Sequence, residues 1–412
     1  MKYGKKEGSF RSKKNGIEYR VYIDGEQKSF YGKTENECLI KCRQYTQLLK
    51  QNKIDKTDKS NISLQDYISY WLTTYKMGSV ANSTYDRLEN SFNVHINNSK
   101  FGIKKISQIT SDDIQEFINE KKQTLSLSSL KKIKEVLAPT FHHATVKDII
   151  KSNPMELVVF PKNDKALPVK TKEVKCYTDK EVERIALTST DPYYQFNPRR
   201  YRYAPLYAFI LNTGLRLGEC LALTWDDIDF ERKIINVNKT LTVIKNRDFK
   251  KDPRNRLQVL GDPKTFNGKR VIPLNNVAKD MLLEMKTRNS LTGADDKIIF
   301  PNYEGNYLNE RSVQKLFQKI CNDIEVEYKG IHALRHTFGS VLIKKKVDIK
   351  VVSELLGHSD VKFTYNRYIH IINEQKAEAM DILSVTPILA DAIKILAQGN
   401  FMGTEYADVQ KC

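Results

Sequence analysis

What limits this chain most is where its hydrophobic patterning stops. Two stretches interrupt it: the polar run QNKIDKTDKSN at 51–61, which lacks periodicity, and 151–175, where Pro154, Pro161 and Pro168 stand among Lys162, Lys165, Lys170, Lys172 and Lys175. A polar run without periodicity reads as a linker, and a proline-broken basic stretch reads as an extended connector. The 412 residues are thereby divided before any fold is chosen, and they suffice for several cores of about 100–200 residues each. The expected class is multidomain, mainly α with small β-sheets. Its expected boundaries are 1–60, a three-stranded sheet with one helix and a linker; 61–160, helical; 161–384, mixed α and β with its N-terminal linker; and 385–412, a tail.

Within the first segment, Ile17, Tyr19, Val21 and Ile23 alternate with Glu18, Arg20, Tyr22 and Asp24, the period of a strand with one apolar and one polar face. Asn15-Gly16 and Asp24-Gly25 are dipeptides that tight hairpin turns favour, because both central residues need positive φ. Thr34 with Glu37 opens a helix that covers the apolar face. Ser63 with Asp66 and Thr110 with Asp113 open helices in the second segment, where four or five fit; Thr178 with Glu181 opens the third. A strand-rich stretch follows from Lys233 to Leu274, and Ile388–Leu396 reads as a short amphipathic helix in the tail.

Charge narrows the partner. Lys and Arg number 68 against 50 Asp and Glu, a net +18, which favours a polyanion. Over residues 1–60 the count is 15 against 8, and Arg11, Lys13, Arg20, Tyr22 and Lys28 lie on or beside the strands. A three-stranded ribbon fits the DNA major groove, so these five are the expected DNA contacts of that module. No run of about 18 apolar residues is present for a membrane span, and the polar start has no signal-peptide core, so the expectation is a cytoplasmic protein with no membrane partner. The six cysteines form no C-x-x-C pair, and His142-His143 have no ligand-type neighbour at metal spacing, so no metal site is expected.

Four of the seven histidines, His332, His336, His358 and His370, fall within 39 residues. His332 and Arg335 are three apart and share a helix face, so an imidazole and a guanidinium can meet one anion. Arg216 stands between Gly214 and Gly218, with Glu219 as a natural i, i+3 partner. Lys264 falls at a strand–turn boundary, while Lys269 and Arg270 are expected to face solvent. Gly357-His358 and Tyr368-Ile369-His370 follow. Asp226, Asp227 and Asp229 read as turn chemistry rather than a two-metal centre.

Arg216, Lys264, His332-x-x-Arg335, Gly357-His358 and Tyr368, in that order, resemble the tyrosine recombinase (phage lambda integrase) family, in particular integrases of conjugative transposons. The resemblance implies an arm-type DNA-binding domain, a helical core-site DNA-binding domain and a mixed α+β catalytic domain. It implies an enzyme that cleaves and rejoins double-stranded DNA at attachment sites of a mobile element, through a 3′-phosphotyrosine at Tyr368 and a Holliday junction. Arg216, Arg335 and His358 would hold the phosphate, His332 would assist proton movement at the phenol, and Lys264 would protonate the departing oxygen. No cofactor is implied; the partners are DNA, three further copies in a homo-tetramer, an excisionase and a host DNA-bending protein. Tyr365 is the rival nucleophile, and His370 two residues after Tyr368 favours the latter.

Overall fold

In the computed structural model of the chain the described residues are 8–13, 16–23, 26–35, 37–39, 41–42, 45–46, 61–163, 167–169, 175–247, 254–263, 268–291, 293, 297–384, 391 and 394. They fall into two compact units, Met1–Glu173 with Thr242–Val259, and Val174–Leu241 with Leu260–Cys412.

The first unit begins with the antiparallel sheet β1 (Ser9–Lys13), β2 (Gly16–Ile23), β3 (Glu26–Gly32). Lys13 pairs with Gly16 and Ile23 with Glu26, so each hairpin connection has two residues. Gly16 is thus a strand residue and not part of the turn; residues 14–15 and 24–25 lie outside the described ones. Phe10, Tyr19 and Phe30 stand opposite one another on one face. Helical residues from Glu35 onward cover it, started by the Thr34 hydroxyl accepting from the Glu37 N–H at 3.2 Å, and the fully buried Cys38 thiol donates to Ile17 O at 3.1 Å.

The opposite face carries Arg11, Lys13, Arg20, Tyr22 and Tyr31. Glu18 lies among them, as alternation requires, yet it is wholly buried beneath its neighbours. Its carboxylate accepts from Arg20 and Tyr31, both at 2.9 Å, and Lys13 is 3.5 Å away. Arg20 above all, with Ser29 and Tyr31, takes this carboxyl down to about 2 against the opposing effect of burial. Lys28 pairs with Val21 and so belongs to the helix side, 2.6 Å from Glu26 and 5.9 Å from the Tyr45 ring centroid.

The helical part of this unit comprises α1 (Leu64–Trp71), α2 (Asn82–His95), α3 (Ser111–Lys121) and α4 (Leu127–Val146). Ser63 caps α1, and Thr110 with Asp113 forms a full capping box on α3. Their inward residues, among them Leu64, Ile68, Trp71, Ile114, Ile118, Ile133 and Phe141, make one apolar core. His143 is half-buried beside it, with Nδ1 2.7 Å from the Tyr67 hydroxyl. Thr242–Val259 also belongs to this unit: the Arg247 guanidinium lies 2.6 Å from Asp86, 3.1 Å from Glu89 and over the Tyr85 ring.

The second unit opens with α5 (Asp179–Leu187), closed at its N-terminus by the Thr178–Glu181 capping box, then α6 (Asp191–Phe196) and α7 (Pro198–Tyr201). Next come α8 (Ala204–Thr213) and α9 (Leu217–Ala222). Helix α8 is apolar around its circumference and sits at the centre of the core, its Tyr207 hydroxyl donating to Val313 O at 2.9 Å. A small antiparallel sheet of β4 (Ile228–Asp229), β5 (Ile234–Val237) and β8 (Arg270–Pro273) flanks it; the chain between β5 and β8 forms the ribbon β6 (Thr240–Lys245) with β7 (Arg256–Gly261), most of which belongs to the first unit. Helices α10 (Asn276–Ser290), α11 (Glu310–Asp323), α12 (Ile331–Lys344), α13 (Ile349–Leu356) and α14 (Val361–Ser384) complete it. Asp227 accepts from the Thr224 N–H at 2.8 Å and pairs with Lys239 at 2.7 Å, the turn role read from the sequence. Most of the tail, including the Ile388–Leu396 segment, lies outside the described residues; Asp391 and Lys394 are helical. Among the described residues no helix is long and apolar enough to cross a membrane.

Candidate active site

Two left-handed glycines organise the centre of the second unit. Gly214 (φ +65°) ends α8, and a Cβ there would stand 2.4 Å from the Phe338 ring. Gly357 (φ +63°) ends α13, and a Cβ there would stand 2.8 Å from Arg270 Nη1. Both positions favour glycine for its free φ and for the missing side chain.

The carbonyls at these turns are the anchors of two arginines. Arg335, on the first turns of α12 and 2% exposed, donates through Nη1 to Gly214 O at 2.7 Å and through Nη2 to Leu356 O. Arg216, the N-cap of α9, donates through Nη2 to Gly357 O at 3.1 Å and through Nη1 to Glu219 at 2.7 Å. The i, i+3 partnership read from the sequence is therefore present, and the pair also belongs to the site. Glu219 closes the arrangement by accepting the Arg216 backbone N–H at 3.0 Å and the Arg270 Nη2 at 2.9 Å.

Arg270 corrects the expectation that it faces solvent: its side chain is 8% exposed, whereas that of its neighbour Lys269 is 58% exposed. Strand alternation on β8 puts Arg270 on the same side as the buried Ile272, a period-2 signal legible in the sequence but outweighed there by the charge. The Arg270 Nε donates to Leu355 O at 2.8 Å, so this side chain ties β8, α9 and the end of α13 together. Burial pushes the Glu219 carboxyl up, and Arg270 with Arg216 more than reverses it, leaving the group below the usual carboxylate range. Burial, with Arg216 next, takes Arg335 down to about 9, still cationic at neutral pH.

The imidazoles and the phenol gather around these cations. His358 directly follows Gly357, and its Nδ1 is 2.8 Å from the Thr364 hydroxyl. Loss of water and the surrounding guanidiniums of Arg335, Arg216, Arg367 and Arg270 bring it down to about 3. His332 is more exposed than His336 or His358, yet the same two causes hold it at about 4. Tyr368 is 2% exposed and sits where α14 leaves helical geometry (φ −112°, ψ 17°). Its hydroxyl makes no hydrogen bond among the described residues and lies over Gly339, one turn beyond Arg335, where a Cβ would be 2.1 Å away. Burial pushes this phenol up to about 12, with Arg335 and Arg367 pulling the other way.

The structure thus brings Arg216, His332, Arg335, His358 and Tyr368 together, while Lys264 lies outside the described residues. Tyr365 instead lines an apolar groove with Ile343, Val347 and Ile372, and its hydroxyl is 3.4 Å from Lys376. The sequence reading missed Arg270, Arg367 and Thr364 as members of the neighbourhood, and Gly339 as the seat of the phenol. The assembled chemistry is four guanidiniums around one engaged carboxylate, with imidazoles held neutral and a phenol, a concentration of planar cationic donors suited to an oxyanion. Among the described residues no cluster of His, Cys, Asp and Glu has metal-binding geometry, and the cysteines there are free.

His336, buried against His332 with ring centroids 4.5 Å apart, has a consequence for stability. Burial first, then His332 and the nearby cations, lowers it to about 3, below the ordinary histidine value of about 6.5. The unfolded chain therefore takes up this proton first, so the contribution is intact above pH 6.5 and is lost as pH falls toward 3. The expected slope from this group alone is at most about 1.4 kcal/mol per pH unit. Urea unfolding at pH 7, 6, 5 and 4 should give a shallower decline in His336→Gln than in the wild type; parallel lines would refute it.

Comparison with known proteins gives the family of the chain. A profile of the phage integrase family matches residues 175–375, and the profile of the phage integrase N-terminal SAM-like domain matches 63–122. The tyrosine recombinase XerC-like protein of Caldanaerobacter subterraneus subsp. tengcongensis is 30% identical over 393 residues, covering 90% of this chain and 97% of the relative. The integrase of Staphylococcus phage L54a is 27% identical over 351 residues, 80% of this chain and 94% of its own length. In structure, the Tn1549 transposon integrase in complex with a circular intermediate DNA superposes with TM-score 0.64 at 21% identity, over 78% of this chain and 99% of that one. With its helical and mixed α/β units and this arrangement of side chains, the chain belongs to the tyrosine recombinase and phage integrase family of site-specific DNA recombinases.

Proposed function

We propose that this chain integrates and excises a mobile element by cutting and rejoining double-stranded DNA at attachment sites, with Tyr368 as nucleophile and a Holliday junction between two rounds of strand exchange. The observation that carries this reading is the convergence of Arg216 and Arg335 on adjacent carbonyls of one turn, Gly357 O and Leu356 O, with His358 next in the chain. Guanidinium forks hold two non-bridging phosphate oxygens without a metal, and they do so best in a site sheltered from water. The Tyr368 oxygen forms the bond to phosphorus as the bond to the 5′-oxygen breaks. The phenol proton passes through His332, and Lys264 supplies a proton to the departing hydroxyl. The ester keeps the bond energy, so a second 5′-hydroxyl can reverse the step without a nucleotide cofactor.

The relatives' names support the mobile-element context, one being a phage integrase and another a transposon integrase solved on circular intermediate DNA. A homo-tetramer on two duplexes, an excisionase and a host DNA-bending protein are the partners of this reading. The test is a nicked attachment-site duplex incubated with the protein in EDTA. A protein–DNA adduct resistant to SDS, which chases into a joined strand when a 5′-hydroxyl end is added, is the expected result. Binding without an adduct would make the chain a DNA-binding regulator.

The outer face of the N-terminal sheet is the arm-site surface in this proposal, through Arg11, Lys13, Arg20 and Tyr22; Lys28, on the helix side, drops out of the contact set. Arg20→Ala is expected to weaken binding to an arm-site duplex about tenfold and to reduce the slope of log K against log salt by about one. Fluorescence anisotropy across a salt series measures both, and an unchanged slope would move the contact elsewhere.

A further inference from the structure

Thr364 stands six residues after His358 and four before Tyr368, on the first turn of α14. It is completely buried, and its hydroxyl oxygen is 2.8 Å from His358 Nδ1. A buried hydroxyl needs an acceptor for its hydrogen. Among the described residues the imidazole nitrogen is the hydrogen-bond partner of this one. A hydroxyl that donates to Nδ1 obliges that nitrogen to offer its lone pair, and a neutral ring then carries its proton on Nε2.

We infer that Thr364 is a positioning residue that fixes His358 as the Nε2–H tautomer, so that this ring presents a hydrogen-bond donor to the reacting phosphate. The inference rests on the proposed strand-transfer reading of the site.

Two features of the surroundings give the tautomer its importance. Among the described residues, those facing His358 include the cations Arg335, Arg216, Arg367 and Arg270, the His336 imidazole, and the edge of the Phe363 ring at a centroid distance of 4.9 Å. They suppress the imidazolium, in which both nitrogens donate and the tautomer question vanishes. The ring is therefore neutral at working pH and has one donor to spend. With the proton on Nδ1, it would turn a lone pair toward anionic oxygens and repel them; with the proton on Nε2 it adds a donor to the two guanidiniums. The hydroxyl also sits on the nucleophile's own helix. Docking of α14 and orientation of His358 are one event in consequence, and the donor is set only when Tyr368 is close by.

The test has one arm without DNA and one with it. In the full-length protein labelled with 15N-histidine, long-range 1H–15N correlation spectra report the tautomer of His358, assigned by its loss in His358→Gln. The wild type is expected to show a protonated Nε2 and an unprotonated Nδ1, Thr364→Ser the same pattern, and Thr364→Val a mixture of tautomers. With a nicked duplex, Thr364→Val is expected to form adduct about ten- to a hundredfold more slowly at saturating DNA, with half-saturation unchanged within about twofold, and Thr364→Ser to recover most of the rate. A wild-type His358 protonated on Nδ1 overturns the inference, and so does a Thr364→Val protein that cleaves at the wild-type rate. Should Thr364→Val fail to fold, the wild-type and Thr364→Ser spectra still decide it. Absence of adduct from the wild type, with the Nε2–H tautomer observed, would refute the strand-transfer reading and leave the tautomer assignment standing.

Discussion

Tyr368→Phe is expected to form no covalent DNA adduct while unfolding at the wild-type temperature or slightly above it. The ring stays, and with it nearly all of the buried apolar area; what goes is a hydroxyl that makes no hydrogen bond among the described residues. An unpartnered buried hydroxyl costs roughly 1–3 kcal/mol, so its removal costs the fold nothing. Removal of a covalent nucleophile, by contrast, lowers turnover by about 10⁴-fold or more. Noncovalent affinity for the duplex should change by no more than about twofold, because a neutral phenol adds little to binding dominated by phosphate charge. Adduct yield, melting temperature and anisotropy, measured together, separate loss of the nucleophile from loss of the fold. Persistence of the adduct would point to Tyr365, whose position in an apolar groove beside Lys376 makes it a poor candidate.

Arg335→Lys is expected to slow adduct formation about 10²–10³-fold, the loss seen when one preorganised donor to a developing oxyanion is removed. Lysine keeps the charge but not the fork. In the wild type two guanidinium nitrogens are already committed to Gly214 O and Leu356 O, which fixes the plane of the group and aims its remaining N–H donors. A single ammonium cannot serve both carbonyls and a phosphate oxygen from that buried position. At least one carbonyl would lose its partner, at about 1–3 kcal/mol, so the melting temperature should fall as well. Single-turnover cleavage at saturating DNA gives the rate, and a rate within about threefold of wild type would remove Arg335 from the chemistry.

Much of this centre is legible in the sequence because its parts are rare polar residues whose order resembles one family's pattern. The resemblance picks out Arg216, His332, Arg335, His358 and Tyr368, and all five lie near the turns at Gly214 and Gly357. The capping boxes at Thr110 and Thr178 and the first three strands were equally plain, since each depends on contacts between near neighbours. What the sequence concealed depends on contacts between distant segments. A buried arginine such as Arg270 looks like any surface cation until Glu219, fifty-one residues away, is seen accepting from it. Thr364 looks like a helix residue until His358 is placed on its hydroxyl. Glu18 reads from the sequence as part of a polar face, and its complete burial follows from the long side chains of Lys13, Arg20 and Tyr31 closing over a short stretch of sheet.

Gly357 holds two offices at once. Its left-handed backbone stops α13, and its carbonyl receives Arg216, while Arg270 fills the space that any side chain would need. In the proposed reading, helix termination and phosphate grip are thereby a single constraint: a side chain at this position strains the turn and displaces Arg270, and with the same stroke it disturbs the carbonyl that holds Arg216. On that reading, engineering for thermal robustness belongs at surfaces remote from this turn, where a gain in durability does not reach the side chains proposed for turnover.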